Sequence, residues 1–266
     1  MLDQYKRPIN YLRISVTDRC NLRCRYCMPE NDPCLLSHED ILSFEEIREV
    51  VAVGVSMGID KVRLTGGEPL VRKDIVDLVE MISGVQGVRD LSMTTNATLL
   101  APFAAPLAEA GLQRVNISLD TLDPEKFRSL TRGGDIRKVF AGIQAAKKAG
   151  LSPIKVNCVL GEKDDSRDAQ ALKNYCHENQ LQLRFIKQMN LQTGHFDIVE
   201  GGTGGDCKNC NRLRLTSDGK IKPCLFSDIA YDIRVAGIRE ALEMALENKP
   251  EKGTVSFSNC FHNIGG

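Results

Sequence analysis

The sequence predicts an α/β fold, with an incomplete (β/α)6 TIM-like barrel over residues 1–190 and a small C-terminal domain over residues 191–266. Six strand-like segments alternate with helix-like segments in the first part, which is typical of a parallel sheet built from βα units. No seventh and eighth units follow, so an incomplete barrel fits better than a closed eight-stranded one. After Met189 the alternation stops, and a glycine-rich turn leads into a new cysteine pair.

The strands and helices are predicted from their apolar periods of two and about 3.6 residues. The first helix begins at Ser43, because Ser43 and Glu46 have the spacing of a capping box. The predicted strands are residues 11–17, 61–65, 91–96, 114–119, 153–160 and 182–187. The predicted helices are residues 43–53, 75–82, 99–110, 124–130, 136–149 and 169–179, with a further one near the C-terminus at 233–248.

The polar residues of the six strands recur at every second position, so they share one face of the sheet. The apolar residues between them must pack under the helices, which leaves the polar face for the barrel lumen. A packed barrel core would have branched apolar residues there. Each cation alone could be a solvated charge at a strand end, but five together favour a cavity for an anionic ligand. They are Arg13, Lys61, Arg63, Lys155 and Arg184.

Composition excludes several classes of protein. Lys plus Arg and Asp plus Glu both number 35, which gives no case for a nucleic-acid or membrane partner. The chain has neither an 18-residue apolar run nor a basic-apolar leader, so we expect a cytoplasmic protein. Ten cysteines in a reducing compartment indicate metal binding rather than disulfides. Four lie outside the clusters described next, and their default role is that of small buried side chains or spare thiols: Cys34, Cys158, Cys176 and Cys260.

The first cysteine group consists of Cys20, Cys24 and Cys27, in a CxxxCxxC pattern that follows the first strand. Three thiolates can hold three irons of a [4Fe–4S] cluster and leave the fourth iron open for chemistry. A zinc site normally closes its fourth position and uses two CxxC pairs, which this stretch lacks. The surrounding Arg and Asn residues also make a poor apolar core.

The second cysteine group consists of Cys207, Cys210 and Cys224. A hairpin with a turn at residues 217–219 would bring Cys224 back to the CxxC pair. Three thiolates again suggest a cluster with an open iron, and a zinc site completed by His or by Cys260 is the alternative. Arg212 and Arg214 share one face of the hairpin strand beside this group. The glycine turn at 201–205 lacks a following Lys-Ser/Thr and is interpreted as a flexible link rather than a phosphate loop.

CxxxCxxC followed by Thr65-Gly-Gly-Glu-Pro69 resembles the radical S-adenosylmethionine (SAM) superfamily. The segments KVRLTGGEPL, MTTN, NISLD and CKNCNRLRLTSDGKIKPCLF and the terminal Gly-Gly resemble, within it, the family that cyclises GTP in the first step of molybdenum- or tungsten-cofactor (molybdopterin) biosynthesis. The resemblance implies two [4Fe–4S] clusters, one on each cysteine group, and SAM as cofactor. The implied SAM-binding residues are Tyr26, Gly66, Gly67, Glu68, Ser118 and Met189. The implied GTP-binding residues are Arg13, Lys61, Arg63, Thr94, Lys155, Arg184, Arg212, Arg214, Gly265 and Gly266.

The implied reaction begins when a 5′-deoxyadenosyl radical removes the ribose 3′ hydrogen of GTP. Carbon 3′ then attacks guanine carbon 8, and reduction gives (8S)-3′,8-cyclo-7,8-dihydroguanosine 5′-triphosphate. Arg13 is the candidate catalytic residue near that last step. The implied partners are a ferredoxin or flavodoxin reductant and cyclic pyranopterin monophosphate synthase, which would take the product. The resemblance also allows a homodimer.

One departure from the family is a short segment of 17 residues, 190–206, where its members usually have several tens more. The alternative function is that of a radical SAM peptide-modifying maturase with one auxiliary cluster. That class predicts more C-terminal cysteines, a peptide-binding N-terminal extension and no lumen of cations. A non-catalytic iron–sulfur electron carrier is a third possibility, but it has no use for Gly66-Gly-Glu68 or for the basic lumen.

Overall fold

The computed structural model describes residues 1–28, 35–161, 166–258 and 261–264. The strands are β1 (Tyr11–Ser15), β2 (Lys61–Thr65), β3 (Asp90–Thr95), β4 (Arg114–Ser118), β5 (Lys155–Leu160), β6 (Gln182–Lys187), β7 (Arg212–Leu215), β8 (Lys220–Lys222) and β9 (Tyr231–Asp232). The helices are α1 (Phe44–Ser56), α2 (Ile75–Ser83), α3 (Leu100–Glu109), α4 (Pro124–Thr131), α5 (Ile136–Lys148), α6 (Ser166–Glu178), α7 (Ile233–Ala236), α8 (Ile238–Glu247) and α9 (Phe261–Ile264).

The strands form one sheet in the order β6-β5-β4-β3-β2-β1-β7-β8-β9. Strands β1 to β6 pair in parallel with their neighbours in chain order, and helices connect them. This arrangement confirms the partial βα barrel. At the β6 edge, Phe185 and Glu200 exchange backbone hydrogen bonds of 3.2 and 3.0 Å, so the short segment after β6 covers part of that edge.

The C-terminal hairpin extends the barrel sheet. Strand β7 pairs in parallel with β1, and β8 pairs antiparallel with β7, as the predicted hairpin requires. The alternation in Arg212–Leu215 explains the placement, because Leu213 and Leu215 are fully buried in the same core as Leu12. The sheet therefore runs across the predicted domain boundary at residues 190 and 191, and that division of the chain stays a prediction.

The apolar residues of the strands pack under the helices, as their period of two predicts. Leu12, Ile14, Val62 and Leu64 have no exposed surface, and they join the inward faces of the helices in one core. The Ser43 hydroxyl accepts a hydrogen bond from the Glu46 backbone, and the Glu46 carboxylate accepts one from the Ser43 backbone, which confirms the capping box. In the part of the chain that the structure describes, no helix combines the length and apolar character needed to cross a bilayer.

The predicted helix over 233–248 is wrong in its continuity. The chain forms α7 and α8 with a break at Gly237, which has a φ of 87°. A right-handed helix cannot continue through that conformation, and glycine is the residue that adopts it at least cost. The apolar period continues across the break, which is why the pattern alone suggests one helix.

The turn after β2 lies directly against the first cysteine loop, residues 18–28. Gly67 donates a backbone hydrogen bond to Thr17 at 2.8 Å, and Glu68 donates one to Arg19 at 2.8 Å. A β-carbon at Gly67 would lie 2.2 Å from the Arg19 carbonyl oxygen, which no side chain tolerates without movement of the backbone. Gly67 is therefore required so that the two loops can approach this closely.

We expect Gly67→Ala to lower the free energy of unfolding by about 1–3 kcal/mol, because the added methyl group forces the two loops apart. Gly161→Ala is the matched control, since the nearest atom to a β-carbon there is 3.9 Å away. Thermal unfolding of the iron-free proteins measures both effects. Equal midpoints for the two variants would contradict this account of the turn.

Candidate functional site

The lumen-facing residues line a cavity of about 380 Å³. Of the described residues around it, nine are Lys or Arg and three are Asp, so the cavity is strongly basic. The sequence prediction of a cationic lumen is therefore supported, and the structure adds cations that it missed. The basic residues are Arg13, Lys61, Arg63, Arg114, Lys155, Arg184, Arg212, Arg214 and Lys249.

Strand register aligns arginines in one row across the lumen. Arg13 of β1 pairs with Arg214 of β7 on one side and with Arg63 of β2 on the other. The row continues through Ser92 of β3 to Arg114 of β4. The Arg63 guanidinium donates to the Ser92 hydroxyl at 3.2 Å, which fixes its direction along the row. The row runs from the hairpin that carries the second cysteine group to the fourth barrel strand.

These arginines are buried close to one another, so their charges are costly in the absence of an anion. Burial lowers the pKa of Arg13 well below its usual value, and repulsion from Arg214 lowers it further. Burial likewise lowers the pKa of Arg63, and that of Arg214 to about 10, where repulsion from Arg212 adds to the effect. A bound anion would remove much of this penalty, because guanidinium groups form strong charge-assisted hydrogen bonds with phosphate and carboxylate oxygens.

One carboxylate partly neutralises the far end of the row. The Arg114 guanidinium donates to both Asp90 oxygens, with Nε 2.9 Å from Oδ1 and Nη2 closer still to Oδ2. Both residues line the cavity. Sequence reasoning missed them, although Arg114 has the same parity as Asn116 and Ser118 and could have been placed in the lumen on that ground.

Several lumen atoms have no protein partner within the described residues. They are the hydroxyl of Tyr11, the hydroxyl of Thr94 and the side-chain oxygens of Asn116 and Asn157. Buried polar atoms normally have a hydrogen-bond partner, so this set suits a polar ligand or water. Tyr11 and Asn157 line the cavity, whereas Thr94, a predicted substrate residue, is on the lumen-facing row of β3 but outside the described lining.

The second cysteine group lies on the wall of this cavity. Cys207, Cys210 and Cys224 all line it, and the hairpin brings Cys224 back beside Cys210 as the spacing predicts. Burial raises the pKa of Cys210, but the cations Lys249 and Arg212 outweigh that effect and the net shift is downward. Burial raises the pKa of Cys224, again opposed by Lys249. The neighbouring cations therefore favour the thiolate at Cys210, and thiolates are the ligands of iron.

The first cysteine group occupies the carboxyl edge of the sheet, directly after β1. The backbone N–H groups of Cys27 and Met28 donate to the Cys24 carbonyl at 3.0 and 2.9 Å, and this turn brings Cys27 back towards Cys24. Burial raises the pKa of Cys20 to about 11, and it raises that of Cys24 to about 12 together with repulsion from Cys27 and Cys20. Thiols this close together and this buried lose their protons readily only when a cation such as iron binds the sulfurs in place of the protons, which leave to solvent.

Each cysteine group presents three thiols as candidate metal ligands. Among the residues that the structure describes, no three His, Cys, Asp or Glu side chains could share a single metal ion. In an iron–sulfur cluster each thiolate binds a different iron, so the thiols stand further apart than zinc ligands do. The donor set of each group, three cysteines and no His or carboxylate, therefore fits a [4Fe–4S] cluster.

Of the predicted SAM-binding residues, Gly67 and Glu68 lie against the first cysteine loop, whereas Met189 packs beside Cys224 of the second group. Glu68 is fully buried and accepts hydrogen bonds from the Thr95 hydroxyl at 2.7 Å and from the Asn96 and Leu70 backbone at 2.6 and 3.1 Å. Burial raises the pKa of Glu68 to about 7, and these bonds oppose the rise. Gly66 and Gly67 form the turn before it, Ser118 ends β4, and Met189 lines the cavity.

Tyr26 is held by a residue that sequence reasoning missed. Its hydroxyl donates to Asp120 at 2.8 Å, and the other oxygen of Asp120 accepts from the Val159 backbone at 2.8 Å. Burial raises the pKa of both Tyr26 and Asp120. Asp120 follows β4 at the carboxyl edge of the sheet, where barrel enzymes carry their functional residues, and that position was the available signal.

Predicted residues near the C-terminus fall partly outside the described part of the chain. Gly265, Gly266 and Cys260 lie outside the described residues, as does Cys34. Just before them, Ile264 is 1% exposed and packs with Leu191, Leu225 and Phe226, next to the second cysteine group. The segment leading there is anchored by Asp228, which accepts bonds from Ser256 at 2.6 Å and from the Ser258 backbone at 3.0 Å. Cys158 and Cys176 are buried in the core, as expected.

Comparison with known proteins agrees with this geometry. The family model for the radical SAM superfamily matches residues 14–176, and the one for Molybdenum Cofactor Synthesis C matches residues 157–254. The chain is 42% identical to GTP 3′,8-cyclase of Alkaliphilus oremlandii (strain OhILAs) over 302 positions, covering 95% of this chain and 94% of the relative. It is also 42% identical over 307 positions to GTP 3′,8-cyclase of Thermodesulfovibrio yellowstonii, covering 94% and 95%.

Solved structures share the fold at low sequence identity. SuiB of Streptococcus suis, bound to S-adenosylmethionine, has a TM-score of 0.65 and 17% identity, covering 91% of this chain and 66% of SuiB. The enzyme anSMEcpe, with bound AdoMet, has a TM-score of 0.63 and 16% identity, covering 92% and 81%. The solved structures show the fold, and the family models and the sequence relatives establish that the chain belongs to the radical SAM superfamily and, within it, to the GTP 3′,8-cyclase family.

Proposed function

We propose that this protein converts GTP to (8S)-3′,8-cyclo-7,8-dihydroguanosine 5′-triphosphate, the first step of molybdenum- or tungsten-cofactor biosynthesis. The observation that carries the proposal is a basic lumen that has one three-cysteine group on its wall and a second at the carboxyl edge of the same sheet. A triphosphate carries about four negative charges near pH 7, which suits the excess of lumen cations. Relatives that are 42% identical over 95% of the chain have this activity as their name.

The two cysteine groups have different tasks in this proposal. Cys20, Cys24 and Cys27 hold the cluster that, with SAM bound, supplies the 5′-deoxyadenosyl radical. Cys207, Cys210 and Cys224 hold the second cluster, and Arg212 and Arg214 lie beside them to orient the guanine end of the nucleotide. The triphosphate then extends along the arginine row towards Arg114, past Arg13 and Arg63. Fixing both ends in this way holds the ribose in one orientation, and such positioning of the reacting atoms lowers the barrier of the reaction.

Other residues of the chain position SAM and the nucleotide and keep water away from them. Glu68 is buried and accepts three hydrogen bonds, so it presents a fixed carboxylate to the ammonium group of SAM. Arg13 is the proposed catalytic residue, because it pairs in register with Arg214 beside the second cysteine group and lies on β1, the strand that leads into the first group. The segment 196–206 lies over the lumen and limits the access of water to the nucleotide.

No observation favours the peptide-modifying alternative. The likenesses to SuiB and anSMEcpe are below 20% identity and indicate the fold alone. The proposed function also requires a one-electron donor of the ferredoxin or flavodoxin class and a downstream enzyme, cyclic pyranopterin monophosphate synthase, that accepts the product. A homodimer is compatible with the proposal and is not required by it.

The decisive experiment is an anaerobic assay of the reconstituted protein with SAM, dithionite and GTP. We expect 5′-deoxyadenosine and a cyclised nucleotide, both quantified by mass spectrometry. Arg212→Ala should lose most of the nucleotide product, whereas Arg48→Ala, on the exposed face of α1, should keep it. If SAM is cleaved equally well without GTP, GTP is not the substrate, and the protein is a radical SAM enzyme of another specificity.

Arg114 provides a test of the direction in which GTP lies. Arg114→Met removes a charged donor at the far end of the row, so the dissociation constant of GTP should rise about tenfold or more. The dissociation constant of GMP, whose phosphate does not reach that far, should change little. Arg137→Met, which removes an exposed cation on the outer helix α5, is the control for net charge. An equal loss for GTP and GMP would contradict the proposed orientation.

Lys155 should make GTP binding depend on pH. Burial lowers the pKa of Lys155 to about 8, with repulsion from Arg184 and Arg114 adding to the effect. The ammonium charge is therefore present near pH 7 and lost as the pH rises through about 8. Between pH 7 and 9, at constant ionic strength, calorimetry should show weaker GTP binding to the wild type and a flatter profile in Lys155→Arg. The same profile for both proteins would exclude Lys155 from the phosphate site.

A further inference from the structure

Lys249 is a buried cation at the second cysteine group that the functional assignment above does not use. It follows α8, is only 2% exposed, and lines the cavity together with Cys207, Cys210 and Cys224. Its ammonium group donates to the Arg212 carbonyl at 2.7 Å and to the Pro223 carbonyl at 2.6 Å. These carbonyls belong to the start of β7 and to the residue before Cys224.

The same ammonium group faces the thiols on the cavity wall. The Lys249 charge lowers the pKa of Cys210 and opposes the rise in the pKa of Cys224, so it acts on both side chains. Arg7 is the other charged group facing it, and it repels Lys249. No carboxylate forms an ion pair with Lys249 in the described ranges. A buried ammonium group is costly without a counter-charge, so the two cysteine sulfurs are its natural partners.

The N-terminal segment holds this arrangement in position. Arg7 forms a buried ion pair of 2.6 Å with Asp3 and donates to the carbonyls of Cys207 at 2.7 Å, Pro250 at 2.7 Å and Glu251 at 2.9 Å. Gln4 donates to the Lys249 carbonyl at 3.0 Å. Residues 3–7 thereby join the first cysteine of the CxxC pair to the backbone around Lys249, so the position of its ammonium group relative to the thiols is fixed.

We propose that Lys249 is the fixed counter-charge of the second cluster, donating a hydrogen bond to the sulfur of Cys210 and raising the reduction potential of the cluster, with Arg7 as the residue that positions it. The inference rests on the proposed function only in that a cluster must occupy the second cysteine group. Positive charge and hydrogen bonds to sulfur favour the reduced, more negative cluster, so their removal lowers the potential. A lysine whose only role was to donate hydrogen bonds to two backbone carbonyls would not raise the reduction potential of the cluster.

The test uses the full-length chain with Cys20, Cys24 and Cys27 replaced by Ala, so that only the second cluster forms. Protein that carries ¹⁵N only at the lysine side-chain nitrogen Nζ is reconstituted, reduced and examined by pulsed electron paramagnetic resonance. We expect a hyperfine coupling to one lysine nitrogen, and we expect Lys249→Arg to abolish it. A reduced cluster with no coupling to a lysine nitrogen would overturn the proposal, and this measurement needs no variant of Lys249 that might fail to fold.

Redox titration then separates an electrostatic role from a structural one. Lys249→Met should shift the midpoint potential of the second cluster downwards, and Lys249→Arg should restore most of it. Lys208→Met is the matched control, because Lys208 lies between Cys207 and Cys210 but is exposed to solvent, where its charge is screened. Equal potentials in Lys249→Met and the wild type would also overturn the proposal. Absence of iron from the triple-alanine protein would instead remove the second cluster itself, and with it the proposed function.

Discussion

The repulsion between buried cations in the barrel lumen is the constraint on which the site depends. Arg214, Arg13 and Arg63 are neighbours in register and each is less than a tenth exposed. Burial lowers the pKa of each, and repulsion from other lumen arginines lowers it further. Such a row persists only because the apolar faces of the same strands are tightly packed beneath the helices. The packed core thus stabilises the fold, and the free-energy cost of the buried cations in the lumen favours the binding of an anion there.

Strand β1 connects the two halves of the site. The first cysteine group follows its carboxyl end, and β7, which carries the approach to the second group, pairs along its free edge. The separation of the two groups is therefore set by one strand and its hydrogen bonds, not by a flexible linker. A substrate held between two clusters needs that rigidity, because small displacements at a reacting carbon cost large factors in rate.

The local sequence pattern predicts many of the strands and helices. It does not predict contacts between segments that are far apart in the chain. Strands β2 and β6 were predicted to the residue, because their polar and apolar residues alternate without interruption. The parallel pairing of β7 with β1 joins residues about two hundred positions apart, and no local pattern reports it. Lys249 follows an amphipathic helix, where a lysine is expected to be solvated; only the packing of residues 3–7 against it reveals a buried cation.

The short segment after β6 covers the cavity, and residues that line the lumen hold it in place. Relatives align over 302 positions, although this chain has 266 residues, so they contain residues that it lacks. Here Arg184 donates to the Gly201 carbonyl at 3.1 Å and Arg212 to the Thr203 carbonyl at 2.5 Å, so two lumen guanidiniums hold the cover. Any anion that draws these groups towards the lumen competes with those carbonyls. The two side chains that hold the cover are therefore also two of those proposed to bind the nucleotide.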